Sequence, residues 1–165
     1  MTIEKLEFGN YYHIFSHGAG YRNLYKETSN YEYFLHLYEK YIEPVAETYA
    51  WALMPNHFHF LVRLKENIGY KYSNADGSVD TVRFNEIEWE TSDLSACEAP
   101  GSVRIPKPEK HVSHLLNSYT RYYNTKYGSK GTMFERPFKR KRIDNFAWLR
   151  RTILYIHNNP VHPVK

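Results

Sequence analysis

The chain has 165 residues, 42% of them hydrophobic and 17% aromatic, with a net charge of +4 at pH 7. That length suits one domain with a buried core. The single cysteine, Cys97, excludes an intrachain disulfide and a cysteine-rich zinc site, no apolar run approaches the ~18 residues of a membrane helix, and MTIEKLEFGN lacks a signal-peptide core, so a soluble cytoplasmic protein without a membrane partner is expected.

Residues 9–18, GNYYHIFSHG, are β-rich and bounded by glycines, and read as a strand. Over 30–48, Phe34, Leu37, Tyr38, Tyr41 and Ile42 recur at helical spacing, with Asn30 the expected N-cap and Pro44 the stop. TYAWALMPNHFHFLVRL (48–64) reads as two strands broken near Met54-Pro55-Asn56. Residues 66–106 are acidic and rich in turn residues; an insertion is expected there, with a hairpin around TVRFNEIEWE. In KHVSHLLNSYTRYYNTKYG (110–128), Val112, Leu115, Leu116, Tyr119, Tyr122 and Tyr123 form one stripe, and Gly128 closes the helix. GTMFERPFKRKRID (131–144) reads as a strand with a proline break. Residues 145–163 form the last helix, capped by Asp144 or Asn145 and stopped at Asn159-Pro160. No internal repeat is found. The order β, α, β-β, α, β, α predicts a single α+β domain over 1–165, a ferredoxin-like antiparallel sheet with helices packed on one face.

Charge is divided along the chain. Residues 1–101 carry 8 Lys+Arg against 15 Asp+Glu, net −7, whereas residues 102–165 carry 14 against 3, net +11. Such polarity points to an anionic partner for the C-terminal part, most often nucleic acid. Arg121, Lys126, Lys130, Arg136, Lys139, Arg140, Lys141 and Arg142 are the candidates to track phosphates. On a strand Lys139 and Lys141 would face one way and Arg140 and Arg142 the other. Among 16 tyrosines and 9 phenylalanines, Tyr122, Tyr123, Phe134 and Phe138 are candidates to stack bases, although core packing suits Tyr119 and Tyr122 better.

MPNHFHFLV (54–62) puts two imidazoles, His57 and His59, into an apolar strand. Side chains at i and i+2 share a face, so the pair can bind one metal ion, with a third ligand from elsewhere. His-x-His alone is a weak pattern, equally satisfied by two hydrogen-bonded histidines. The pairs His13/His17 and His111/His114 read as surface or packing residues. In LYIHNNP, Tyr155 and Asn159 stand four apart on the last helix, hence on one face. The first is a candidate nucleophile and the second a candidate oxygen ligand.

Together these stretches resemble the His-hydrophobic-His ("HUH") single-tyrosine transposases, in particular the REP-associated subgroup. HFH in MPNHFHFLV looks like the paired-histidine motif. YHIFSHG (12–18) is similar to the first strand, with His17 where an arginine is common. GTMFERPFKRKRID is similar to the Gly–aromatic–basic segment and YIHNNPV (155–161) to the helix of the catalytic tyrosine. The resemblance implies a DNA transposase and endonuclease acting on single-stranded, hairpin-forming DNA through a covalent 5′-phosphotyrosine. It implies Tyr155 as nucleophile and His57, His59 and Asn159 as ligands of Mg²⁺ or Mn²⁺. Members of that family include homodimers sharing the tyrosine helix and monomers. Residues 66–106 match none of its segments.

Three other readings are open to the residues. A non-catalytic, domesticated or decayed nucleic-acid-binding protein needs neither metal nor Tyr155. A metal-dependent hydrolase would use water and form no adduct. An interaction domain would bind a protein through the acidic insertion.

Overall fold

The computed structural model describes residues 3–72, 87–91 and 104–159. Strand β1 (Tyr11–His17) alternates strictly: Tyr12, Ile14 and Ser16 are buried on one face, and Tyr11, His13, Phe15 and His17 stand on the other. Helix α1 (Thr28–Tyr41) starts earlier than expected, with Glu27 as N-cap. Asn30 caps it from the third position instead. Its Oδ1 accepts the backbone N–H groups of Lys26 at 2.8 Å and Glu27 at 3.3 Å, which explains a fully buried asparagine. The helix ends at Tyr41, ahead of Pro44.

Strands β2 (Ala46–Met54) and β3 (His57–Leu64) form the expected antiparallel pair around the Pro55-Asn56 turn. Strands β4 (Ile68–Tyr72) and β5 (Ile87–Thr91) make a separate two-stranded sheet within the expected insertion. The hairpin expected around residues 81–90 therefore pairs its second half with an upstream strand; residues 81–86 lie outside the described ones. Helix α2 (Pro108–Tyr127) buries Val112, Leu115, Leu116, Tyr119 and Tyr123 and ends at Gly128, whose φ of +60° is the left-handed conformation glycine adopts without strain. Strand β6 (Lys139–Ile143) precedes helix α3 (Phe146–Asn158). Of the two expected caps, Asn145 is the one used, accepting the Trp148 N–H at 2.8 Å.

The four-stranded sheet runs β2-β3-β1-β6 with every neighbour antiparallel, the ferredoxin-like order. Helices α1 and α2 share one face, over Tyr12, Ile14, Phe58, Phe60 and Val62. Helix α3 departs from the expected placement and covers the opposite face. Leu61, Ala50 and Ala52 supply a second apolar strip there, against which Leu149 and Ile156 pack. One strand with apolar groups on both faces thus seats helices on both. Each fully buried large side chain stabilises the fold by about 1.5–3 kcal/mol.

The aromatic excess goes largely into this core. Phe34, Phe58, Phe134 and Tyr119 are fully buried, and the Tyr119 hydroxyl donates to the Leu24 carbonyl at 2.6 Å. Tyr123, Phe134 and Phe138 are therefore core residues and not open stacking platforms, because the 133–138 segment packs beneath the sheet with α2. Tyr122 is half-buried and stacks on Tyr33 with ring centroids 3.9 Å apart. Among the described residues, no helix is long and apolar enough to cross a membrane.

Candidate active site and nucleic-acid face

His57 and His59 lie on β3, a central strand, and their period of two points both toward α3. Across the sheet, Phe15 pairs with His59 and His17 with His57. The surface beneath α3 is thus a patch of four imidazoles and a phenyl ring. His17 stacks on His57 at 5.0 Å, and His13 stacks on His59 at 5.1 Å. His13 does more than the surface or packing role expected of it: its Nε2 and His59 Nδ1 share a hydrogen bond of 2.9 Å, whereas His17 packs on His57. Their i, i+4 spacing on β1 was visible in the chain, but only the strand register reveals what they face. His111 does pack, 6% exposed, with Nδ1 donating to the Tyr41 carbonyl at 2.7 Å.

Burial sets the protonation of this patch. Desolvation pulls His59, 4% exposed, down to about 3, helped by His13, His57 and His17. His13 is pulled down to about 4 by burial and then by Lys141. His57 is lowered too, by burial and by His17. The three rings are neutral at pH 7, the form in which imidazole donates a lone pair. Asn56 Oδ1 stands 2.7 Å from His57 Nδ1 and can only accept. The His57 proton is therefore on Nδ1, leaving Nε2 free. His59 Nε2 is equally free in the tautomer whose Nδ1–H donates to His13.

Tyr155 projects from α3 over this patch. Its ring meets His59 edge-on at 5.5 Å and His13 at 6.2 Å, while the side chain stays 54% exposed. One turn later, Asn159 holds helical angles (φ −55°, ψ −43°) despite the proline that follows, so it remains on the Tyr155 side of the helix. Its Nδ2 is buried without a hydrogen-bond partner. A 180° turn of the amide exchanges Nδ2 and Oδ1, placing an acceptor there. Among the described residues, no three His, Cys, Asp or Glu side chains are grouped to hold a metal ion.

The eight expected basic contacts do not form one surface. Lys139 and Lys141 share the histidine face, paired with Phe15 and His13 across β1 and β6, and Lys141 Nζ lies 4.4 Å over the Trp148 ring. Arg140 and Arg142 occupy the other face. Glu7 at 2.9 Å and Asp144 at 2.7 Å hold Arg142, and Glu109 lies 3.8 Å from Arg140. Lys126 is paired with Glu27 and Arg136 with Asn117, while Arg121 and Lys130 are exposed. Arg151, exposed one turn before Tyr155, is a cation the sequence reading passed over.

No family model and no curated protein matches the chain. Among solved structures it is similar to a REP-associated tyrosine transposase bound to a REP hairpin, with a TM-score of 0.58 over 98% of this chain and 73% of that one. At 16% identity the likeness is one of architecture: the chain shares the fold of that transposase.

Proposed function

We propose that this chain is a metal-assisted, single-stranded-DNA transposase and endonuclease with Tyr155 as its nucleophile. The observation carrying this reading is the Tyr155 ring standing 5.5 Å from His59, with Asn159 one helical turn away on the same side. The fold-sharing transposase acts as a guide to the substrate, since its structure holds a DNA hairpin.

Tyr155 Oη attacks the phosphorus of a phosphodiester. The Oη–P bond forms, the P–O3′ bond breaks, and the phenol proton passes through solvent to the departing 3′ oxygen. The products are a 5′-phosphotyrosine and a free 3′-OH, which can later reverse the step. A neutral phenol is a weak nucleophile, so help at the phosphate is needed. His57 Nε2, His59 Nε2 and the Asn159 amide would hold Mg²⁺ or Mn²⁺, and the ion's charge would offset that building on the phosphate. Three neutral ligands leave that charge undiminished, and imidazoles favour Mn²⁺ over Mg²⁺. His13 fixes the His59 ring, while Lys139 and Lys141 take flanking phosphates on the same face.

A second reading, a nucleic-acid-binding protein without chemistry, keeps the Lys139 and Lys141 face and needs neither a metal nor Tyr155. Mass mapping separates the two. A tryptic peptide bearing Tyr155 plus nucleotide supports the nuclease; DNA binding without a modified peptide supports the binder.

A further inference from the structure

A cavity of about 420 Å³ opens on the opposite face of β6, between that strand and the first turns of α2. Glu109, Ser113, Leu116, Arg136, Pro137, Phe138 and Arg140 line it. Arg140 is the anomaly. Its side chain is only 9% exposed, its Nε is buried with no partner, and its ion pair with Glu109 spans 3.8 Å. The guanidinium carbon lies over the Phe138 ring, 4.2 Å from its centroid. Burying a cation without hydrogen bonds is costly, and such groups are normally satisfied by a partner.

The lining argues what that partner is. A phosphate or carboxylate would suit the arginine but meet the Glu109 carboxylate. A flat heterocycle whose edge sets an acceptor beside donors satisfies both, and the Leu116 and Pro137 walls suit its faces. Guanine has that edge: O6 for an arginine nitrogen, N1–H and N2–H for a carboxylate. Adenine and cytosine offer Glu109 only one amino group, and thymine a single N–H between two acceptors. Ser113 Oγ donates to the Glu109 carbonyl at 2.9 Å and keeps its lone pairs.

We propose that this cavity binds one unpaired guanine of the DNA strand, outside the catalytic site; the inference rests on the DNA reading above. β6 is an edge strand, and its side chains alternate between the two faces. A single strand laid over Lys139 and Lys141 can cross that edge and lower a base beside Arg140.

The test measures competitive fluorescence anisotropy with nine-nucleotide oligothymidylates carrying one central dG, deoxyinosine, dA or dT. The full chain should bind the dG strand at least fivefold tighter than the dA and dT strands. Deoxyinosine, which lacks the 2-amino group, should fall between. Glu109→Gln can still accept the Leu6 N–H that Glu109 Oε1 receives at 2.8 Å, and should erase the preference. Equal, salt-sensitive binding of all four strands would overturn the pocket and leave the DNA reading standing. Retained dG preference in Glu109→Gln would also overturn it. No binding of any strand would overturn the pocket, and a gel shift with a DNA hairpin then decides the DNA reading separately.

Discussion

The pair His13–His59 makes the fold acid-sensitive by a calculable amount. In the unfolded chain each imidazole titrates near 6.5. In the folded chain burial holds His13 at about 4 and His59 at about 3. Between pH 6.5 and 4 the unfolded state therefore binds more protons, and stability falls as pH falls. From pH 7.5 to 5.0 each ring contributes about 2 kcal/mol of loss, about 4 kcal/mol for the pair. The result is insensitive to the folded values, because both lie below 5. His57, His111 and His114 are shifted in the same direction and add to it. Glu27, held at about 2 chiefly by Lys126, titrates below this window. Urea unfolding in EDTA at the two pH values measures the difference, for the wild type and for His13→Gln. Glutamine offers His59 a hydrogen-bond partner and does not titrate, so its pH dependence should shrink by about 2 kcal/mol. A wild-type difference under about 1 kcal/mol, or an unchanged difference in the variant, would refute the reasoning.

Tyr155→Phe should keep hairpin binding and melting temperature while abolishing any covalent product, since the side chain is 54% exposed; gel shift and calorimetry check both halves. Asn159→Ala should weaken Mn²⁺ binding, read by electron paramagnetic resonance, by at least about tenfold, the order seen for groups that hold or orient a metal; equal affinity would remove Asn159 from the ligand set. Neutralising Lys139 and Lys141 should reduce the slope of log affinity against log salt by about 1.4 on single strands. Arg142→Gln, already paired with Glu7 and Asp144, should change that slope far less. Tyr119→Phe should cost about 1–3 kcal/mol in denaturant unfolding, because the Leu24 carbonyl loses its donor inside the core.

Local signals in the chain were enough for the elements. The alternation of Tyr12, Ile14 and Ser16, the helical stripe of α2 and Gly128 each announce one structure, and the ferredoxin-like order follows from their sequence. Two neighbouring residues share a face by simple periodicity, which made His57 with His59, and Tyr155 with Asn159, legible as pairs. What joins the pairs is long-range. Leu61 lies within a strand buried on both faces, and Ala50 and Ala52 are small residues beside exposed neighbours, so nothing local marks them as the floor for α3. The bond from His13 to His59 spans 46 residues and depends on a strand register. Aromatic residues were the least legible: Tyr123 and Phe134 have the composition of base-stacking platforms, and burial alone assigns them to the core. The basic run 139–142 likewise conceals which cations have carboxylate neighbours: Glu135 for Lys139, Glu109 for Arg140, Glu7 and Asp144 for Arg142.

The most direct test incubates the chain with Mn²⁺ and single-stranded DNA hairpins labelled at the 5′ or the 3′ end, followed by a denaturing gel. The account predicts a retarded protein band carrying only the 3′-labelled downstream fragment, an upstream fragment ending in a free 3′-OH, and loss of both with Tyr155→Phe. Cleavage that persists in Tyr155→Phe, or that yields no protein-linked DNA, would contradict it.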